Sequence, residues 1–203
     1  MRTLARTALV ALVLGCLLTG CAAPAGHPQA TAGAVRDRSA PSTAPSAAPS
    51  VASAAAKPIT PVRLRIPAIG VDTRLERLGV SRSGRLQPPV DPQRAGWFPG
   101  SSVPGELGPA VIAGHRDSLV GPAVFWRLTD LRPGDTVTVT RSDGGTARFT
   151  VAQVRRVPRA AFPTEQVYGA SPDRVLRLIT CGGLYDHVHG RYLDNVLVVA
   201  LAG

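Results

Sequence analysis

Short stretches that alternate apolar with polar residues recur along the chain from residue 62 onward. Residues 62–66 alternate apolar with basic side chains, and residues 136–140 alternate Thr with Val. A period of two turns one side of a strand towards a core and the other towards solvent, so both stretches predict half-buried strands. Further apolar stretches of strand length occur at residues 71–78, 110–113, 147–157, 175–180 and 195–201.

Glycine and proline separate these predicted strands. Residues 143–145 are Asp-Gly-Gly, which predicts a hairpin turn between the strands on either side. Residues 81–104 are dense in Pro, Gly and Ser and predict loops. Residues 125–131 and 164–168 each predict one helical turn, and no long amphipathic helix is indicated. We therefore predict an all-β fold, a closed β-barrel with one or two short helices.

The N-terminal segment has the pattern of an export signal. Arg2 and Arg6 precede an uncharged apolar run at residues 8–18, which is too short to span a bilayer comfortably. The run ends in Leu-Thr-Gly-Cys at residues 18–21, which resembles a bacterial lipobox with Cys21 as the lipidated residue. The alternatives are ordinary cleavage near residues 22–23 and an uncleaved signal anchor. We predict a lipid-tethered protein at the extracytoplasmic face of the membrane, since a diacylated cysteine anchors stably.

Composition then divides the rest of the chain into two parts. Residues 21–57 are rich in Ala, Pro, Ser and Thr and lack any apolar periodicity. Such a composition predicts a semi-extended, disordered stalk. The predicted layout is therefore a signal peptide at residues 1–20, the stalk at 21–57 and one folded domain at 58–203.

The net positive charge suggests nucleic acid as a partner, but the low aromatic content and the scattered arginines argue against it. The chain has 23 Lys and Arg against 13 Asp and Glu, a formal net charge of +10. Aromatic residues make up only 4% of the chain, which leaves few platforms on which bases could stack. The arginines are scattered singly and in pairs rather than in a block. We predict no nucleic-acid partner and interpret the charge as a basic surface facing an anionic cell envelope.

Cysteine usage points to one candidate nucleophile. Of three cysteines, Cys16 and Cys21 belong to the signal region, which leaves Cys181 alone in the exported part. A lone cysteine in an exported protein is either buried and inert or used. Cys181 follows the predicted strand 175–180 directly and precedes Gly182 and Gly183, which would let a substrate backbone approach the sulfur. This position favours a reactive thiol.

A reactive thiol needs a base and a positive charge nearby. His115 also follows a short apolar strand, so it is the predicted acid–base residue. His187 and His189 are interpreted as solvated loop residues or a weak metal site. Arg191 lies ten positions after Cys181, just before the last predicted strand, and is the predicted oxyanion partner.

The order His115, Cys181, Arg191, together with Thr180 before the cysteine, resembles the sortase family, and residues 181–196 look most like its class F. The resemblance covers about residues 60–201. It implies an eight-stranded β-barrel that cleaves a Leu-Pro-x-Thr-Gly-like sorting signal through a thioester on Cys181. It also implies transfer to an amine of a peptidoglycan precursor or a pilin, with Thr180 and Gly182 supporting the substrate or oxyanion. No metal or organic cofactor is implied.

Two alternatives remain at this point. An L,D-transpeptidase also uses Cys and His, but it carries Ser-x-Gly-Cys-Arg, whereas residues 179–182 are Ile-Thr-Cys-Gly. A lipoprotein binding module with a structural cysteine is the alternative from another class. Reaction with a peptide-like vinyl sulfone separates the two classes, because a buried structural thiol resists it.

The first testable prediction concerns Cys21. Changing Cys21→Ser removes the only atom that could carry the lipid, so the protein should leave the membrane fraction or accumulate as an unprocessed precursor. Membrane fractionation with intact-mass measurement checks this. A membrane-bound variant of unchanged mass, beside a wild type without lipid, would establish the uncleaved signal anchor instead.

Overall fold

The strands predicted from the alternating pattern are present in the computed structural model, which describes residues 57–203. The β-strands are β1 Pro61–Ile66, β2 Val71–Arg77, β3 Ala95–Trp97, β4 Gly108–Gly114, β5 Asp117–Ser118, β6 Gly121–Pro122, β7 Thr136–Arg141, β8 Thr146–Pro158, β9 Arg174–Asp186 and β10 Arg191–Ala202. The helix α1 is Thr164–Tyr168, and 3-10 turns lie at Pro67–Ile69, Leu128–Asp130 and Arg159–Ala161. Within this part of the chain, no helix has the length and apolar character needed to cross a membrane.

Eight strands close into a barrel in the order β1-β2-β3-β4-β9-β10-β8-β7. The pairs β2–β3 and β4–β9 are parallel, and the other neighbours are antiparallel. Strands β5 and β6 form a separate two-stranded sheet just after β4. The prediction of a closed eight-stranded β-barrel with few helices is confirmed.

The barrel interior is filled by inward-facing side chains of β1, β4, β7, β8, β9 and β10. Leu64, Ile66, Phe149, Leu176 and Leu178 are all fully buried there. Their alternation with exposed residues, as in β8, is the period-two pattern that the sequence carries.

Strands β4 and β9 are apolar on both faces. Their outward residues Val111 and Ile179 form a second buried cluster with Val167 of α1 and Leu197 of β10. Because α1 covers the barrel wall here, these strands have no solvent-facing side over much of their length, and their sequences are nearly continuous apolar runs.

The hairpin β9–β10 is longer than the sequence suggested. We predicted that the strand before Cys181 ends at residue 180, but β9 continues to Asp186 by pairing with β10. A register shift between Tyr192 and Asp194 accommodates the glycines after Cys181, and Gly183 has a φ of 76°. The glycines therefore allow a bulge within β9. From the sequence alone, glycines at a bulge cannot be distinguished from glycines at the end of a strand.

The region predicted as loops, residues 81–104, contains the strand β3. Its three residues, Ala95, Gly96 and Trp97, are too few to show a period, but all are buried between β2 and β4. Tertiary pairing rather than local pattern forms this strand.

The different burial of two apolar residues of β1 predicts different effects of alanine substitution on stability. Leu64 is fully buried, whereas Val62, which the alternation predicted on the same face, is 39% exposed next to a register shift in the β1–β7 pairing between Pro61 and Arg63. Leu64→Ala should lower the free energy of unfolding by ~2–5 kcal/mol, through lost apolar burial and the cavity left behind. Val62→Ala should change it by less than ~0.5 kcal/mol. Urea denaturation followed by circular dichroism measures both, and equal losses would contradict the assigned inward face of β1.

Candidate active site

Cys181 and His115 follow the point where the parallel pairing of β4 with β9 ends. The last paired residues of these strands are Ala113 and Ile179. Each candidate residue lies two positions beyond its strand's last paired residue, so the register directs both towards the same region. Both residues are partly exposed and line one groove, so the structure brings the predicted thiol and imidazole together.

A buried hydrogen bond fixes this register at the last step before the site. The Thr180 hydroxyl donates to the Gly114 carbonyl oxygen at 2.8 Å, and Thr180 is 4% exposed. A Cβ at Gly114 would lie 2.6 Å from a ring carbon of Phe125, so only glycine allows this close approach. The Phe125 backbone N–H donates to the His115 carbonyl at 2.9 Å. The backbones of both candidate catalytic residues are therefore held from two sides.

The imidazole of His115 has a defined proton arrangement in its neutral form. Its Nε2 lies 2.9 Å from the carbonyl oxygen of Pro89. A carbonyl oxygen only accepts hydrogen bonds, so Nε2 carries the proton and Nδ1 is the basic nitrogen. Glu76 holds the residues next to Pro89, because its carboxylate accepts from the Val90 N–H at 2.8 Å and the Asp91 N–H at 3.4 Å.

The groove around these residues has a volume of about 820 Å³. The segment between β2 and β3 forms one wall, and the segment after β8 with α1 forms the other. Its apolar lining includes Phe98, Ala113, Phe162 and Ile179. A groove of this kind suits an extended peptide with apolar side chains.

Burial raises the pKa of the Cys181 thiol above its ordinary value. The positive charge of Arg159 opposes this rise, as the charge of Arg116 does more weakly, whereas the negative charge of Asp117 adds to it. The net direction is upward, so the resting group is the neutral thiol at neutral pH.

The structure does not bring Arg191 to the thiol, contrary to the prediction. Arg191 pairs with Asp186 at the far end of the β9–β10 hairpin, and the residue paired with Cys181 is Asn195. The prediction assumed that the chain between Cys181 and Arg191 doubles back at once. Instead, strand pairing continues past Cys181, which carries Arg191 away from the groove.

Thr180 and Gly182 both help to hold Cys181 in place. Thr180 lines the groove, and its hydroxyl donates to the Gly114 carbonyl. Gly182 is buried, and a Cβ there would lie 2.8 Å from the Val196 side chain. Support of a substrate or oxyanion by these two residues stays a prediction.

His187 and His189 lie at the exposed end of the same hairpin. His189 Nδ1 is 2.6 Å from the Asp186 carboxylate, and the His187 ring packs edge-on against Tyr185 with 5.0 Å between ring centres. Within residues 57–203, no three His, Cys, Asp or Glu side chains are grouped so that they could hold a metal ion. Both histidines have structural partners away from the thiol.

A second group of residues lies beside the site, and sequence reasoning, which considered Arg116 as an alternative to Arg191, did not predict its contacts. The Arg116 guanidinium lies 4.9 Å from the ring centre of Trp126 and 5.3 Å from that of Tyr192. The Tyr192 hydroxyl donates to Asp117. These contacts tie the end of β4 to β10. Their residues are far apart in sequence, and no local motif links them.

Comparison with solved structures shows which known proteins share this fold. Solved structures with the same fold include sortase C1 from Streptococcus agalactiae, with 24% identity over 70% of this chain and 66% of that one, and a TM-score of 0.55. Sortase A from Corynebacterium diphtheriae follows with 21% identity, 71% and 60% coverage, and a TM-score of 0.54. Sortase C-1 from Actinomyces oris has 23% identity, 70% and 72% coverage, and a TM-score of 0.52.

The family assignment comes from the sequence. Residues 64–202 match the family model of the sortase domain, and the chain belongs to the sortase family. The chain spans less than two thirds of the length of the sortases from Streptococcus agalactiae and Corynebacterium diphtheriae named above. No curated protein matches the chain.

Thr180 provides a test of the hydrogen bond to the Gly114 carbonyl, which fixes the register of β4 and β9. Thr180→Val keeps the shape but leaves the buried Gly114 carbonyl without a donor, which should lower the free energy of unfolding by ~1–3 kcal/mol. Thr180→Ser keeps the hydroxyl and loses one methyl group, at about 0.8 kcal/mol. Denaturant titration ranks the two variants. A valine variant as stable as the wild type would show that the bond contributes nothing.

Proposed function

We propose that the protein is a cysteine transpeptidase in which Cys181 is the nucleophile and His115 is the acid–base residue. The observation that carries the proposal is that both side chains line one groove, directly beyond the point where the pairing of β4 with β9 ends. Family membership supports the same activity. A thiol next to a histidine can form an ion pair in which sulfur is the nucleophile.

The proposed acylation begins from the neutral thiol. Its proton passes to Nδ1 of His115, and the sulfur attacks the carbonyl carbon between Thr and Gly of a Leu-Pro-x-Thr-Gly-like signal. The new C–S bond forms, the C–N bond breaks, and His115 returns the proton to the departing amine. The products are a thioester on Cys181 and a free peptide that begins with Gly.

The second half of the reaction reverses these roles. An incoming amine attacks the thioester carbonyl, His115 accepts its proton, the C–S bond breaks and the thiol is restored. We propose an amine of a peptidoglycan precursor or a pilin as acceptor, with water as a slow competitor. No step uses a metal, an organic cofactor or nucleic acid.

The groove supports a peptide substrate with apolar residues. Phe98, Ile179 and Phe162 provide an apolar surface next to the thiol, which fits the Leu and Pro of a sorting signal.

We also propose the cellular arrangement predicted from the N-terminal sequence. A signal peptide at residues 1–20, a lipid on Cys21 and a stalk at 21–57 would hold the catalytic domain, residues 58–203, outside the membrane. Cys21 and most of the stalk lie outside the described residues. Within the family we propose class F, on the resemblance of residues 181–196.

Product analysis tests the proposed activity. The purified protein is incubated with a Leu-Pro-x-Thr-Gly peptide library and a panel of amines, and products are identified by mass spectrometry. A peptide cleaved after Thr and joined to an amine is expected, with a thioester adduct on Cys181 at short times. An enzyme that joins no peptide to any amine and forms no such adduct would contradict the proposal.

Substitutions assign the roles of the two groups. Cys181→Ala should abolish cleavage and transfer while the fold is retained, because the nucleophile is lost and little packing changes. His115→Ala should lower the rate by ~10²–10⁴-fold, the usual contribution of positioned proton transfer. The matched control is His187→Ala with His189→Ala, which should remain near wild type since both lie at the exposed hairpin end. A larger loss in the control than in His115→Ala would show that the wrong histidine was chosen.

A further inference from the structure

Three adjacent strands, β9, β10 and β8, bring Arg159 to the groove that holds the Cys181 thiol. Cys181 of β9 pairs with Asn195 of β10, and Asn195 in turn pairs with Val157 of β8. Arg159 follows Val157 by two residues, in the 3-10 turn that begins where β8 ends. The backbones of β8 and β9 are two strand spacings apart, about 9.6 Å, and an extended arginine side chain covers most of that distance. The 3-10 turn packs on β10, and Arg159 lines the groove together with Cys181 and His115.

The charge of Arg159 has no carboxylate partner within residues 57–203. Its neighbours do have partners, because Arg155 donates to Gln166 at 2.7 Å and Arg156 lies 4.0 Å from Asp194. Arg159 is nevertheless partly buried. A guanidinium that is half withdrawn from water without a neutralising carboxylate is available to an anion that enters the groove.

The other candidates for this role are less well placed. Asn195, directly opposite Cys181, is neutral, and Arg191 lies at the distant hairpin end. Arg116 is held between the rings of Trp126 and Tyr192 and does not line the groove.

We propose that Arg159 is a catalytic residue of this site, which stabilises the Cys181 thiolate and then donates to the oxyanion of the tetrahedral intermediate. The proposal rests on the cysteine transpeptidase function proposed above. The sequence had suggested that Arg191 supplies this positive charge. The proposal assigns the charge to Arg159, in the segment after β8, instead. Arginine suits the task because its planar fork holds several donors in fixed directions.

The electrostatics of the thiol agree with this assignment. Among the groups that lower the pKa of Cys181, the positive charge of Arg159 has the largest effect and that of Arg116 the smallest. The ionisable groups around the thiol are His115, Arg116, Asp117, Arg159 and, further along the groove, Tyr168 and Arg85.

The first experiment measures the thiol itself and needs no substrate. The rate of alkylation of Cys181 by iodoacetamide is followed from pH 6 to 10 in the full-length protein with Cys16 and Cys21 changed to Ser. Removing a cation destabilises the thiolate. Arg159→Gln and Arg159→Ala should therefore move the midpoint of the pH dependence of Cys181 alkylation to higher pH. Arg159→Lys should keep the midpoint near wild type, since the charge remains. Arg148→Ala, which removes an exposed arginine near the opposite end of β8, is the control for net charge and should not move it.

The second experiment measures acyl transfer to the amine acceptor. Arg159→Ala and Arg159→Gln should lower kcat by ~10²–10³-fold with a smaller change in KM, as expected for a donor that acts mainly in the transition state. Arg159→Lys should lose most of this rate although its alkylation midpoint is preserved. Arg191→Ala and Arg116→Ala are compared in the same assay and should lose less. Urea denaturation confirms that each variant is folded, and the glutamine variant replaces the alanine variant if that one is destabilised.

The outcomes separate the two proposals. An active wild type in which the Arg159 variants keep both the midpoint and kcat overturns the role of Arg159 and leaves the transpeptidase proposal intact. The same holds if Arg191→Ala or Arg116→Ala loses more kcat than Arg159→Ala. A wild type without transfer activity overturns the proposed function, and the alkylation midpoints still decide whether Arg159 stabilises the thiolate.

Discussion

The parallel pairing of β4 with β9, closed by the Thr180–Gly114 hydrogen bond, determines the rest of the site. Both strands carry buried apolar side chains on each face over much of their length, so a shift of one residue would displace packed side chains along the barrel wall. The register is therefore held by the core as well as by the site. One consequence is that buried residues such as Leu176 and Leu178 help to set the positions of His115 and Cys181.

Two opposing effects act on the thiol at this position. The apolar groove that would bind a peptide also removes water from the sulfur, which disfavours its charged form. The arginine beside it opposes that effect without displacing the apolar lining, because it enters from the end of β8. The carbonyl of Pro89 orients the imidazole from the opposite wall. The groove thus combines low polarity with a few groups of defined direction.

The parts of the molecule that were predictable from sequence are those that a local pattern records. The alternation in β7 and β8 and the apolar runs of β4 and β9 predicted the barrel, and the residues that follow two of those runs, Cys181 and His115, line one groove in the structure. The helical turn at residues 164–168 was also correctly located. Strand β3 and the continuation of β9 were missed because pairing partners, not local composition, create them. Arg159 was missed because it is one arginine among many, and only the arrangement of three strands brings it to the thiol.

The neutral state of the resting thiol has a consequence for the chemical lifetime of the protein. Peroxides attack the thiolate, and its sulfenic acid product can be oxidised further to forms that are not reduced again. Because burial raises the pKa of Cys181, only a small fraction is thiolate at neutral pH when the groove is empty. For a protein proposed to work beyond the reach of cytoplasmic reductants, the same burial that opposes reactivity also slows irreversible inactivation.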